Sequence, residues 1–198
     1  ARRVSGVETS QGLIAARQVV AAAGPWTAPL VASTGGDLPL EIHSRSQARL
    51  HPPLDFGEPH PVLVDVPHDY SALPQPGGTR VTRLLALPAP VADAGACDPG
   101  VSGSFLYETR ARVQRRLPAY ARSILDGGGT SPCCLTPDRV PVAGSLGGIE
   151  GFYVLCGCGA DPFGTGVALA RGLAEFVVHG TTRGFDLFFG FSHARAIE

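Results

Sequence analysis

The chain contains no lysine, no asparagine and no methionine, and all 16 of its basic residues are arginine. The three missing residue types share AT-rich codons, so their joint absence points to a GC-rich coding sequence rather than a selected chemistry. Charged residues are only 17% of the chain and the net charge is −1, with the arginines scattered. Without a basic stripe, nucleic acid is not expected as a partner. No apolar run approaches about 20 residues, the length a membrane-spanning helix requires, so no membrane partner is expected either. The N-terminal ARRVSGVETS lacks the apolar core of a signal peptide. The missing methionine fits an internal or C-terminal piece of something longer, and equally well removal of a start methionine before Ala1.

Five cysteines are present: Cys97, Cys133, Cys134, Cys156 and Cys158. An odd count with an adjacent pair and a CxC does not make a secreted disulfide framework, which points to a reducing compartment, the cytoplasm. Metal ligands usually come as CxxC knuckles, so these thiols are expected to be buried and inert, with no metal site.

At 198 residues the chain can form one large or two small domains with a substantial core. Residues 4–14 alternate around SQG and predict a short hairpin. Residues 18–23 predict a buried strand ending at Gly24-Pro25, followed by a short helix with Thr27 as a candidate cap. From about Leu38 the chain breaks into short β-like runs punctuated by proline and glycine, which predicts an antiparallel sheet with long loops. Residues 105–125 predict a helix that Pro118 ends or kinks. DGGGTSPCC (126–134) reads as flexible, and the aromatic tail from Gly180 as a segment that packs back on the body.

The stretch from Thr136 to Glu175 carries the most information. It reads as a tight loop, a Gly-rich turn, a buried strand at Phe152–Cys156, a second Gly-rich loop and a helix. Small residues permit close backbone approach, and a helix N-terminus presents unpaired N–H groups with partial positive charge. That arrangement suits an anionic or electron-rich ligand. The AAAGP turn at 21–25 leaves exposed backbone of the same kind.

VVAAAGPW (19–26), TPDRVPVAG (136–144), GFYVLCG (151–157), ALARGLAEF (168–176) and FSHAR (191–195) occur in this order. Together they resemble the C-terminal half of the flavin amine oxidoreductases of the D-amino-acid oxidase, glycine oxidase and sarcosine oxidase superfamily. The resemblance implies an α/β (α+β) fold: a partial FAD-binding domain interrupted by a mixed, mainly antiparallel substrate-domain sheet. It implies a remnant of the FAD-binding domain at 1–37, a substrate (cap) domain at 38–134, a return segment at 135–180 and a tail at 181–198. The family's strand and GxGxxG loop for the pyrophosphate are not found here, so the resemblance is to a truncated flavoprotein, with a missing N-terminal half as a conceivable partner. It further implies an FAD-dependent oxidation of the C–N bond of an amino acid or N-methyl amino acid by hydride transfer to flavin. A non-catalytic fragment that needs a partner chain is the alternative.

Carried over, the resemblance places Ala23 and Gly24 beside the dinucleotide. It places Thr136, Pro137 and Asp138, and the loop of Gly157, Gly159, Ala160, Asp161, Pro162, Phe163 and Gly164, at the isoalloxazine ring. There N–H groups and the helix dipole would stabilise negative charge on the reduced flavin. The chain departs from its relatives at three positions. Asp161 replaces a histidine, Pro162 removes an N–H donor, and Gly164 stands where sarcosine oxidases place a lysine; these changes imply an altered or degraded site. Tyr70 and Arg45 are the candidate substrate contacts. A surface position is the other reading of Tyr70, and solvated sheet faces account equally for Arg45, Arg49, Arg80 and Arg83. His43, His51, His60 and His68 read as surface-loop residues. Cys133 and Cys134 stand at a different spacing from TPD than the cysteine that tethers flavin in some sarcosine oxidases, so FAD is expected to be non-covalent.

Overall fold

The protein is described by a computed structural model covering residues 2–84, 90–146, 148–159 and 162–181. Two compact units are present: residues 1–42 with 133–198, and His43–Pro132. The tail beyond 181, including FSHAR, lies outside the described residues.

The first unit opens with β1 (Arg2–Arg3) and a hairpin of β2 (Gly6–Thr9) and β3 (Gly12–Ala15), then β4 (Val19–Ala21) and α1 (Thr27–Ser33). The predicted hairpin is therefore present, with Thr9 opposite Gly12. The helix after the Gly-Pro turn is also present, but Thr27 does not cap it. Trp26 occupies the cap position without a side-chain hydrogen bond, and Thr27 is the first helical residue, fully buried.

In the second unit lie most of β5 (Glu41–His51), then β6 (Leu63–Asp65), β7 (Tyr70–Gln75), β8 (Gly78–Thr82), β9 (Pro90–Val91), α2 (Gly103–Val113) and most of β10 (Ile124–Leu135). Back in the first unit follow β11 (Val142–Ser145), β12 (Ile149–Glu150), β13 (Phe152–Cys156) and α3 (Pro162–His179).

The first unit is built around a three-stranded sheet ordered β11-β13-β4. Strand β13 alternates strictly: Phe152, Val154 and Cys156 pack with Val31 of α1, Ala21 and Val142. Tyr153 and Leu155 turn to the opposite side, where Leu169 and Leu173 of α3 cover Ala143. That period-2 pattern is why a five-residue run becomes a central strand with a helix on each face. Helix α3 ends where Gly180, at φ 71, donates its N–H to the Phe176 carbonyl at 2.8 Å, a left-handed glycine terminus.

The second unit is a sheet ordered β10-β5-β8-β7-β6, with β9 also on β5. The β5-β8, β8-β7 and β7-β6 pairs are antiparallel. Leu50, Tyr70, Ala72, Val81, Val113 and Tyr120 form its core against α2. The Ser102 hydroxyl caps α2 by accepting from Phe105 N–H at 3.2 Å. The helix predicted over 105–125 stops at Val113, and Pro118–Arg122 forms a separate 3-10 turn. Proline cannot supply the N–H that continuation requires.

Three other expectations are corrected. Residues 126–134 are not flexible but belong to β10, where Gly128 lies so close to the Gln47 carbonyl that a side chain there would collide. Tyr70 is buried at 1% exposure, not on the surface. His43 and His60 are buried as well. His60 Nδ1 lies 2.6 Å from the Pro61 carbonyl, its Nε2 2.9 Å from Thr79 Oγ1, and Thr79 Oγ1 2.7 Å from Tyr120 OH. A carbonyl only accepts, so Nδ1 carries a proton, and Thr79 Oγ1 links Nε2 to the Tyr120 hydroxyl.

Candidate functional site: three turns at one sheet edge

Strands β4 and β13 run parallel, with Val19, Val20 and Ala21 opposite Phe152, Tyr153 and Val154. Their carboxyl ends therefore reach the same edge of the sheet. Strand β11 is antiparallel to β13, with Val142 opposite Cys156, so β11 begins at that edge. Three segments the sequence singled out are thereby brought together: Ala23-Gly24 after β4, Thr136–Asp138 before β11, and Gly157–Gly159 after β13. In open α/β sheets, ligands sit outside the carboxyl ends of the strands.

Each turn has a local cause. Gly24 takes φ 55, and Trp26 N–H donates to the Ala23 carbonyl at 3.1 Å. Arg139 N–H donates to the Thr136 carbonyl at 2.9 Å, the Thr136 hydroxyl to the Val140 carbonyl at 2.8 Å, and Val140 N–H to the Asp138 carboxylate at 3.1 Å. Thr136 is fully buried, whereas Pro137 and Asp138 are exposed. Gly157 and Gly159 take φ 74 and 67, in the left-handed region that favours glycine.

The last two turns are packed against each other. A Cβ on Gly157 would stand 3.1 Å from Thr136 Cγ2, and one on Gly159 2.9 Å from Leu135 Cδ2. Cys134, which sequence reasoning left without a role, joins them. Gly159 N–H donates to the Cys134 carbonyl at 3.2 Å, and Gly157 N–H donates to the Cys134 thiol. The N–H groups of these two glycines are thus engaged within the protein rather than free for a ligand. The only sequence signal was the placement of CC directly before the TPD turn.

Burial pushes the Cys134 thiol up, with the Gly157 N–H opposing it. Burial, with Cys134 and Cys158 nearby, pushes Cys156 up to about 12. Cys133, Cys134 and Cys156 are buried and Cys97 and Cys158 half-buried; all five are free thiols. Among the described residues no group of His, Cys, Asp and Glu is arranged to hold a metal, and no helix is long and apolar enough to cross a membrane.

The other candidates lie as follows. Gly164 falls inside the first turn of α3 rather than on the loop, with open space around its Cα. Ala160 and Asp161, and the side chains of Pro162 and Phe163, lie outside the described residues. In the second unit, Tyr70 is part of the core, and Arg45 donates from Nη2 to the Arg83 carbonyl at 2.7 Å.

The family pattern named DAO, FAD dependent oxidoreductase, matches residues 1–176. The chain belongs to this family. It is 29% identical over 193 residues to 4-methylaminobutanoate oxidase (formaldehyde-forming) of Paenarthrobacter nicotinovorans, covering 92% of this chain and 23% of that protein. It is 27% identical over 157 residues to glycine oxidase of Pseudomonas putida, covering 78% of this chain and 40% of that protein. The chain thus spans less than half the length of these relatives. In structure it is similar to L-proline dehydrogenase from P. horikoshii, with a TM-score of 0.80 and 19% identity over 94% of this chain and 50% of that one. Glycine oxidase from Geobacillus kaustophilus gives 0.75 and 20% over 96% and 49%. At such identities the likeness concerns the fold, a mixed α/β arrangement.

FAD is the cofactor of this family, and the edge of the first unit fits it. Gly24 has open space where a side chain would otherwise stand, and two left-handed glycines allow backbone approach after β13. The Thr27 hydroxyl, fully buried beside the Gly24 turn, has no hydrogen-bond partner among the described residues. Leaving a buried hydroxyl unpaired costs about 1–3 kcal/mol, and a bound polar group is one way to recover it.

Proposed function

We propose that this chain forms part of an FAD-dependent oxidoreductase that oxidises the C–N bond of a small amine or amino acid, including N-methylated ones. The observation carrying this reading is the meeting of the Ala23-Gly24, Thr136–Asp138 and Gly157–Gly159 turns at the carboxyl ends of β4 and β13. The two curated relatives, whose names describe oxidases of a methylamino acid and of glycine, support the substrate class. FAD when bound supplies the hydride acceptor. The protein's own task is to hold and orient: Ala23-Gly24 and Thr27 along the dinucleotide, Thr136, Pro137 and Asp138 with the Gly157–Gly164 segment at the ring, non-covalently. Cys134 keeps the two ring-side turns in register. Tyr70 and Arg45 would act by shaping the cap sheet on which the substrate rests.

A second reading is that FAD is held only together with another polypeptide that supplies a dinucleotide-binding half. Strand β4 is the outer strand of its sheet and Val20 on it is 46% exposed, as a strand awaiting a neighbour would be. Purification followed by a flavin absorbance scan and an FAD titration separates the two. A yellow protein, or saturable FAD binding at micromolar concentration, supports the first reading; a colourless protein that gains flavin only with an added N-terminal half supports the second. Colourless protein under both conditions sinks both.

A further inference from the structure

On the α2 side of the second unit a group of polar side chains gathers that the flavin chemistry does not involve. The turn Val66–Asp69 between β6 and β7 is closed by Asp69 N–H on the Val66 carbonyl at 3.1 Å. It carries His68 back over Asp65, whose side chain is 5% exposed. One Asp65 oxygen accepts from His68 N–H at 3.2 Å, and the other lies 2.9 Å from His68 Nδ1. Arg116 Nε donates to that second oxygen at 2.8 Å. A carboxylate paired with arginine only accepts, so Nδ1 carries a proton and the neutral ring keeps its lone pair on Nε2. Nε2 has no hydrogen-bond partner among the described residues, and the His68 side chain is 29% exposed.

The surroundings hold more donors than acceptors. Arg112 donates from Nη1 to the His68 carbonyl at 3.0 Å. Arg116 hydrogen-bonds Asp65 through Nε, which leaves its terminal nitrogens without an acceptor among the described residues. The Tyr70 hydroxyl, on the residue opposite Asp65 in the β6-β7 register, is buried and also lacks a hydrogen-bond partner among the described residues. The other acid of the turn, Asp69, is occupied by Arg83 at 2.7 Å. The geometry points to His68 Nε2 as a site of phosphoryl modification, by a donor that carries its phosphoryl group on nitrogen. A nucleophilic imidazole needs one ring nitrogen held and the other free, and the buried carboxylate on Nδ1 provides that. The Nε2 lone pair attacks phosphorus, the P–N bond of the donor breaks, and its protonated nitrogen leaves as the neutral amine with the bonding pair. The ring then bears the phosphoryl group on Nε2 and hydrogen on Nδ1, and its positive charge rests against Asp65. Phosphoryl oxygens are strong acceptors that pair with guanidinium donors, which Arg112 and Arg116 have to spare. No residue of the flavin edge takes part, so the site is independent of the FAD reading.

The test treats the full chain with phosphoramidate at neutral pH and maps the linkages by mass spectrometry and phosphorus NMR. His68 should label several-fold faster than His179, which is exposed at the end of α3, and at Nε2 alone. His68→Gln should remove the fast component. In urea the advantage over His179 should vanish and both ring nitrogens should react, so Nε2 selectivity also reports an intact fold. Arg112→Gln should slow His68 several-fold with that selectivity kept, and Arg112→Lys should retain most of the rate. Three results each overturn the proposal: labelling of His68 no faster than of His179, linkage through Nδ1 in the folded chain, or an undiminished rate in a folded Arg112→Gln.

Discussion

Gly157→Ala tests the structural basis of the ring-side turns directly. Two costs are readable from the structure. At φ 74 an alanine takes the left-handed conformation, which costs roughly 1–2 kcal/mol for a residue with a Cβ. The added methyl would also stand 3.1 Å from Thr136 Cγ2, 3.6 Å from Thr136 N and 3.7 Å from Pro141 Cα. Thr136 cannot step aside freely, because it is fully buried and its hydroxyl is tied to the Val140 carbonyl. Overpacking of this kind costs typically about 1–3 kcal/mol. The expected loss is therefore about 2–4 kcal/mol, below the simple maximum because partial relaxation lets the two terms share.

The assay is urea unfolding followed by the fluorescence of Trp26, the only tryptophan of the chain and a member of the first unit. The midpoint should fall while the slope stays constant, since the same surface is exposed on unfolding. Two further glycines calibrate the reading. Gly24→Ala, at φ 55 with nothing within 4 Å, should suffer only the backbone term of about 1–2 kcal/mol. Gly164→Ala, helical and equally open, should gain about 0.5–1 kcal/mol. If Gly157→Ala loses no more than Gly24→Ala, the packing of the Gly157 turn on Thr136 is not what the structure says. FAD titration of the same variants, read by Trp26 quenching, should weaken most in Gly157→Ala.

Three more outcomes are expected. Leu169→Ala removes a fully buried side chain between α3 and β11 and should cost about 2–5 kcal/mol, measured by the same urea assay; a loss under 1 kcal/mol would show that α3 is not docked there. Burial of Asp65 favours its neutral form, but hydrogen bonds from Arg116 and His68 outweigh this and hold its carboxyl below the usual range. The unfolded chain then takes up the proton first, so the contribution is present above about pH 4 and is lost as pH falls through the lower folded value. Asp65→Asn should flatten the acid side of the stability profile, and an unchanged profile would contradict this. The Cys156 thiol, pushed up to about 12, stays protonated in the native protein. Its contribution to stability is present below the ordinary thiol value near pH 8.5 and fades as pH rises toward that raised value. Iodoacetamide at pH 8 with mass mapping should therefore leave Cys156 unmodified until urea is added, and native labelling at the rate of Cys97 would refute it.

Local patterns made the first unit legible. QVVAAA and FYVLC are short apolar runs bounded by glycine, and both became strands; ALARGLAEF lies within α3. The second unit hid more, because its contacts are distant in sequence. His60 sits in a proline-rich stretch and looks like a loop residue, yet Thr79, 19 positions away, bonds its Nε2 and is itself bonded to the Tyr120 hydroxyl. Tyr70 begins β7 after a turn in which Asp69 takes φ 57, and nothing in YSALPQ indicates which of its alternating faces meets α2. Strand β10 carried a triple glycine and a proline, marks of a loop when read alone. Pairing reverses that reading, because glycine is what lets β10 approach the Gln47 carbonyl, while Thr130 secures it through Ser46 Oγ at 2.8 Å.

The same reversal applies at the candidate flavin edge. Glycines after β13 suggested N–H donors aimed at a ligand, but the donors of Gly157 and Gly159 both end on Cys134. Glycine is needed there for conformation and for closeness to Thr136 and Leu135, not for its amide. The α3 terminus that follows these turns begins at Pro162. Pro162 at that terminus offers no N–H of its own. Substituting Cys134, whose carbonyl accepts from Gly159 N–H at 3.2 Å, should therefore disturb both turns at once.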